Sequence, residues 1–199
     1  MKVVVELASR ALSFQLQPEA LDAPPPLERV WFRFDRWVRS DPLRLSLVAF
    51  ALVEELIGNQ FTLEGVVMPA HLAAALQHRF AGHELFIQGI SNEHRLLGRE
   101  WRYQRLRAPG DDAPLAEDEI RVQRTELGFE FFDAQGELLG RWASNLALYL
   151  ALSAREPQAV LHGVLYLLAL DAFLVRSTAR PAARSLALDC LVEVGGEAA

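Results

Sequence analysis

The chain has one lysine and one cysteine, and both scarcities exclude particular kinds of chemistry. Lys2 is the only lysine, whereas the chain has nineteen arginines, so no other lysine is available as a Schiff base, a phosphate ligand or a general base. Because Cys190 is the only cysteine, an intramolecular disulfide, a Cys-x-x-Cys redox pair and a thiolate-rich metal site are excluded. The single cysteine favours a cytoplasmic location, and the bias to arginine, alanine and leucine is typical of GC-rich bacteria.

The sequence also lacks the common cofactor and catalytic motifs. It contains no Gly-x-Gly-x-x-Gly, no phosphate-binding loop ending in Gly-Lys, no Gly-x-Ser-x-Gly and no His-Glu-x-x-His. His162 and Asp171 are nine residues apart in one predicted helix, about 900° of rotation, which places them on opposite faces and excludes a direct acid-base pair. We therefore expect no cofactor and no metal site, and we favour a protein that is not an enzyme.

No segment is suited to crossing a bilayer. The most apolar stretch, 160–175, is shorter than the roughly 20 residues of a membrane-spanning helix and contains two polar residues. The formal net charge of −6 gives no general attraction to nucleic acid or to anionic membranes. We expect a soluble protein without a membrane partner, and contact with nucleic acid would require a local basic patch.

The composition, with 51% apolar and 23% charged residues in a chain of 199, is that of a folded globular protein and predicts a single domain, 1–199. Alternating apolar residues predict an early hairpin over 3–16 and a third strand over 30–34. Asp41-Pro42 begins, and Gly58 ends, a predicted helix over about 42–57 whose apolar residues leave little polar surface. We expect that helix at the centre of the fold. A β-α-β unit is predicted over 61–90.

The second half of the chain follows the same logic. An acidic, mobile loop is predicted over about 108–119, an exposed strand over 121–125 and a hairpin over 129–142 with Gly136 in its turn. Ser144 or Asn145 begins a helical hairpin, or one kinked helix, over about 145–176, and a final strand follows over 186–194. The predicted class is α+β, with a mixed or antiparallel sheet and helices mainly on one face.

The strongest functional signal is a basic and aromatic segment over 93–107, formally +3 within an acidic protein. Arginines beside exposed aromatic rings suit protein interfaces, anion binding and stacking on bases. The earlier strand extends this surface with two tryptophans and an arginine. The candidate binding residues are Arg95, Arg99, Trp101, Arg102, Tyr103, Arg105, Arg107, Trp31, Arg33 and Trp37.

Three functions follow, with an alternative in which these rings pack in the core and the arginines neutralise the acidic loop. The favoured function is a non-catalytic accessory or partner-binding protein of a bacterial multiprotein system, bound through the arginine and aromatic surface. The second is a nucleic-acid or nucleotide-binding module using Arg95 to Arg107. The third is an enzyme with an irregular His or carboxylate site. The oligomeric state is left open.

Overall fold

A computed structural model describes residues 1–36, 41–79, 85–91, 104–107, 114–117, 119–153, 157–173 and 175–177 of the chain. The strands within these residues are β1 (Lys2–Ala8), β2 (Ala11–Gln17), β3 (Arg29–Phe34), β4 (Gln60–Glu64), β5 (Met68–Pro69), β6 (Phe86–Gln88), β7 (Ile90–Ser91), β8 (Gln104–Arg107), β9 (Glu119–Arg124), β10 (Gly128–Phe132), β11 (Leu138–Ser144) and β12 (Val175–Ser177). The helices are α1 (Pro42–Val53), α2 (Ala70–Arg79), α3 (Leu146–Ser153) and α4 (Pro157–Phe173).

Ten of these strands form one mixed sheet in the order β12-β8-β9-β10-β11-β3-β2-β1-β4-β6, while β5 and β7 pair separately. The central strands from β9 to β1 pair antiparallel. Parallel pairs flank them, with β4 and β6 beyond β1 and with β8 and β12 beyond β9. The α+β class and the mixed sheet predicted from the sequence are confirmed.

The early hairpin is confirmed as the antiparallel pair β1 and β2, in which Val5 lies opposite Phe14. Strand β3 pairs with the other edge of β2 and brings Val30 opposite Phe14. These side chains are buried, whereas the residues between them lie on the opposite face of the sheet. The alternation in the sequence thus becomes a buried row and an outward row.

The predicted β-α-β unit is present as β4, α2 and β6. The two strands are adjacent and parallel, with Phe61 opposite Ile87. The Gln77 side-chain amide donates to the Leu85 carbonyl at 3.1 Å, which ties the helix to the start of β6. The crossover covers residues 65–85, which is long enough to join two parallel strands.

Helix α1 begins as the sequence predicts. Asp41 is the N-cap, and its Oδ1 accepts from the Leu43 amide at 2.9 Å, while Pro42 occupies the first turn. Nearly all its side chains are buried, including Ser46, whose hydroxyl donates to the Pro42 carbonyl at 2.7 Å. The helix is buried on most of its circumference, as the apolar sequence indicated.

The end of α1 differs from the prediction, since the helix stops at Val53 and not near residue 57. After Val53 the amides of Leu56 and Ile57 still donate to the Val53 carbonyl, and the 18–26 loop bonds to the same segment. The Leu56 carbonyl accepts from the Ala23 amide at 2.9 Å, and the Gly58 amide donates to Asp22 Oδ1 at 2.8 Å. At Gly58 a Cβ would lie 2.5 Å from the Leu21 carbonyl oxygen, so only glycine permits this approach.

Asp22 is the centre of this attachment. Its Oδ2 lies 2.5 Å from the Met1 ammonium and accepts from the Glu19 amide at 2.8 Å. Burial by itself raises the pKa of the Asp22 carboxyl, but the hydrogen bonds from Gly58, the ammonium and Glu19 outweigh it and lower that pKa. The carboxylate therefore connects the 18–26 loop to both β1 and the end of α1.

The hairpin predicted over 129–142 is confirmed as β10 and β11. Gly136 has a φ of +83° in its turn, as the sequence suggested. Asp133 Oδ1 accepts from the amides of Gln135 and Glu137 at 3.0 and 2.8 Å. The strands then diverge by one residue between Phe131 and Phe132, where a bulge shifts the register.

Asn145 joins strand β3 to helix α3. Its Oδ1 accepts from the Trp31 amide at 2.9 Å, and its Nδ2 donates to the Arg29 carbonyl at 2.8 Å. Its own carbonyl accepts from the Tyr149 amide at 3.0 Å in the first turn of α3. The side chain therefore extends the β3–β11 ladder beyond Ser144 while the main chain starts the helix.

One apolar core unites the buried row of the sheet with the helices. It contains Phe50 from α1, Tyr149 from α3 and Leu165 from α4. The Tyr149 hydroxyl donates to the Leu52 carbonyl at 2.7 Å, so α3 is bonded to a buried carbonyl of α1. Burial raises the pKa of that hydroxyl above its usual range.

The helical hairpin predicted over 145–176 is present as α3 and α4, but β12 takes up its last residues. The assignment of Glu119 to the predicted acidic loop is wrong, because Glu119 begins β9 and is buried. Its carboxylate accepts from the Ala116 amide at 2.8 Å and pairs with Arg107, which offsets the cost of burying it. The rest of that loop up to 113, and the final strand over 186–194 with Cys190, lie outside the described residues.

We expect Asn145→Asp to destabilise the protein by about 1–3 kcal/mol. The carboxylate has no donor for the Arg29 carbonyl, which would then face a negative charge. Chemical denaturation followed by circular dichroism measures the change. Asn59→Asp makes the same substitution at an exposed position and should cost much less; equal losses in the two variants would contradict the bridging role of Asn145.

Candidate functional site

The outward row of the sheet carries most of its charged side chains, and we call this surface the outer face. Its members alternate with buried residues along the strands, so they point away from the core. Most are at least partly exposed. The charged and aromatic members with described side chains are Lys2, Glu6, Arg29, Trp31, Arg33, Glu64, Arg107, Glu119, Arg121, Glu130, Phe132 and Arg141.

Each of the four acids in this set pairs with one cation. Glu6 lies 2.7 Å from Arg29, and Glu6 also accepts from the Ser13 hydroxyl at 2.9 Å. The other three pairs are Glu64 with Lys2 at 2.8 Å, Glu130 with Arg141 at 2.8 Å, and Glu119 with Arg107. Arg33 and Arg121 are the two arginines of the set that these pairs leave without an acid.

Arg33 lies over the ring of Trp31, with its guanidinium carbon 6.0 Å from the ring centroid. Both belong to β3, where a spacing of two residues places them side by side on the outer face. The next outward position is Asp35, but its carboxylate accepts from the Arg141 amide at 2.8 Å and contacts Arg36 at 3.7 Å. The positive charge of Arg33 is therefore not neutralised by the carboxylate two residues further on.

Arg121 repeats this arrangement on β9. Its guanidinium carbon lies 5.6 Å from the centroid of the Phe132 ring, and the two residues are direct partners across β9 and β10. The Arg121 Nε is buried and has no hydrogen-bond partner among the described residues. A buried donor without an acceptor is expensive, so this nitrogen is poorly satisfied by the described residues.

A groove of about 540 Å³ adjoins the first of these two arginine and aromatic pairs. Ala8 and Ala11 line it with small side chains, Trp31 and Arg33 lie on one side, and Glu6 lies on the other. The volume is within the range of sites for small ligands or for one side chain of a partner. The groove is thus mostly apolar, with Arg33 on one side and the ion pair of Glu6 with Arg29 on the other.

The predicted site residues divide into three groups. Trp31 and Arg33 are on the outer face and adjacent, whereas Arg107 is mostly buried against Glu119. Arg105 occupies the β8 position opposite Glu119 in β9. Outside the described residues lie Trp37, Arg95, Arg99, Trp101, Arg102 and Tyr103.

The sequence interpretation did not include Arg121 and Phe132. Arg121 lies in a strand that was expected to be exposed, and Phe132 lies in the predicted hairpin. Their contact depends on the pairing of β9 with β10. The alternation within each strand shows that they share a side of the sheet, but it does not show that they are opposite one another.

His162 is the buried titratable group that an enzymatic site would be expected to use. It is 7% exposed in α4, and burial lowers its pKa to about 4. Tyr166, one turn later, is buried as well, while the Asp171 side chain lies outside the described residues.

Among the described residues, no three His, Cys, Asp or Glu side chains are grouped as metal ligands would be. None of the helices described in the structure is long and apolar enough for a transmembrane span.

Comparisons with protein-family models, with curated proteins and with solved structures found no match to this chain. The geometry of the outer face is therefore the basis for a functional proposal.

We expect the burial of His162 to make stability depend on pH. The pKa of His162 is near 6.5 in the unfolded chain and about 4 in the fold, so the unfolded state binds a proton at a higher pH than the folded state does. Stability should therefore fall as the pH drops from about 6.5 to 4, by up to about 3 kcal/mol from this residue. Urea unfolding at several pH values measures the slope.

His162→Gln should flatten that slope. His78→Gln removes an exposed imidazole from α2 and serves as the control, which should keep the slope of the unmodified protein. If His162→Gln also keeps it, the buried imidazole is not the source of the pH dependence.

Proposed function

We propose that the protein is a non-catalytic accessory or partner-binding protein of a bacterial multiprotein system, and that it binds a protein partner through the outer face. The single observation that carries this proposal is the Arg33–Trp31 pair. It combines a cation that pairs with no acid among the described residues and a partly exposed indole beside a groove. Arginine and tryptophan are enriched among the residues that dominate binding at protein interfaces.

The architecture supports this use of the surface. We propose that the helices pack mainly on one face of the sheet and that the final strand over 186–194 joins the same domain, as the sequence patterning predicts. The single core shared by α1, α3, α4 and the buried row supports the first expectation. A sheet whose other face stays accessible can bind a partner without rearrangement of its core.

The location follows from composition. We place the protein in the bacterial cytoplasm, because one cysteine and a bias to arginine fit that setting. A protein partner also suits the net charge of −6 better than a nucleic acid does, because the whole-molecule field repels polyanions.

Affinity capture from a lysate of the source organism at moderate salt tests the proposal. We expect the unmodified protein to retain specific partners that the double variant Trp31→Ala with Arg33→Gln loses, because the variant removes both the ring and the cation. Arg124→Gln removes an exposed arginine from the opposite row of β9 and is the matched control for charge. A Trp101→Ala with Arg102→Ala variant examines the remaining part of the predicted surface.

Identical captured proteins for the unmodified chain and both double variants would contradict the proposal. Circular dichroism of each variant establishes that it is folded before the capture is compared. A partner lost equally with Arg124→Gln would indicate a general charge effect and not a site.

A further inference from the structure

We infer that the outer face binds an extended acidic segment of its partner, with one carboxylate on Arg33, a second on Arg121 and an apolar side chain in the groove beside Trp31. This inference rests on the proposed function and specifies the chemistry of the partner. It follows from the charge pairing of the outer face, where four acids are matched and these two arginines are not.

Arg33 and Arg121 are both suited to binding an anion. Each guanidinium lies over an aromatic ring, at 6.0 Å for Arg33 and 5.6 Å for Arg121. Stacking on a ring restrains the side chain and leaves the guanidinium edge, with its N–H donors, available for a carboxylate. The Nε of Arg121 is buried, so the terminal nitrogens of that guanidinium are the donors that a carboxylate would meet.

The register of the sheet gives the distance between the two sites. Arg33 lies opposite Ala143, which lies opposite Gly128, and Gly128 accepts from the Thr125 amide. Arg121 is therefore four residues along β9 from the level of Arg33 and three strands away. With strands about 4.8 Å apart and about 3.4 Å per residue, the diagonal separation is about 20 Å.

An extended peptide matches this separation. At about 3.3 Å per residue, six residues span about 20 Å, and an even spacing places both side chains on the same side of the peptide. The groove lies on the β1 and β2 side of Arg33, away from Arg121. An apolar residue that lies two positions from the first acid, in the direction away from the second acid, is on the same side of the peptide. Its side chain therefore points toward the groove.

A nucleic acid matches the surface less well. One strand carries a phosphate about every 3.4 Å along a duplex, so a 20 Å path would bring about six negative charges over two unpaired arginines. Lys2, Arg29 and Arg141 are already paired with acids, so they offer little further positive charge to a continuous line of phosphates. Widely spaced carboxylates avoid both problems, and the acidic peptide is the occupant that the charges favour.

Titration of the full-length protein with synthetic peptides, followed by NMR, tests the inference. The probe is the peptide LSESGSGSES, in which the acids are six residues apart and a leucine stands two positions before the first. We expect a dissociation constant on the order of 0.1–1 mM, with shifts of the Trp31 indole and of the Arg33 and Arg121 Nε signals. The control peptide LSESGESGSS has the same acids at an odd spacing and should bind several-fold more weakly.

Two variants connect the affinity to the two sites. Arg33→Gln and Arg121→Gln should each weaken the probe peptide about 5- to 10-fold, because each removes one charge-assisted contact. Arg124→Gln, the same substitution at an exposed arginine that contacts neither aromatic ring, should change the affinity less than twofold. An oligouridylate of the same length as the peptide is titrated in parallel.

The outcomes separate this inference from the proposed function. It is overturned if the probe peptide does not bind at several millimolar, if both peptides bind equally, if Arg124→Gln weakens binding as much as the other variants, or if the oligouridylate binds more tightly. If the capture of partners still depends on Trp31 and Arg33 in that case, the proposed function holds, and the partner has a different chemistry. If neither peptide binding nor partner capture depends on these residues, both the inference and the proposed function are contradicted.

Discussion

The alternation of side chains along the antiparallel strands β9, β10, β11, β3, β2 and β1 is the constraint on which the remaining structure depends. A period of two sends Val5, Phe14 and Phe32 into the core and leaves their neighbours outside it. Because the buried row is continuous across neighbouring strands, the helices find one apolar surface to cover. Most of the charged side chains of the sheet therefore lie on the opposite row, where desolvation is smaller than in the core.

The local parts of the fold were predictable because a short stretch of sequence determines each of them. The β1–β2 hairpin follows from two alternating runs, and the start of α1 from Asp41 and Pro42. The end of α1 was placed too late: the helix ends at Val53, and the segment after it bonds to Asp22 and Ala23, which are far away in sequence. Propensity along the helix contains no information about a loop that binds its end.

The candidate site was predictable only in part, for a related reason. Trp31 and Arg33 are two residues apart, so their adjacency can be read from the sequence of one strand. The contact between Arg121 and Phe132, and the burial of Arg107 against Glu119, depend on which strands pair and in which register. An arginine in a basic segment can thus serve as an internal counter-ion, while one outside that segment keeps an unmatched charge.

Asn145 shows how narrow the chemical tolerance of a junction can be. One amide supplies an acceptor to the Trp31 N–H and a donor to the Arg29 carbonyl, and the main chain of the same residue opens α3. Aspartate retains only the acceptor, serine is too short to reach both groups, and glutamine adds a methylene that displaces the amide. Across related sequences, this position should therefore be nearly invariant although it is not part of the apolar core. Variation at this position would mark chains in which β3 and α3 are joined in another way.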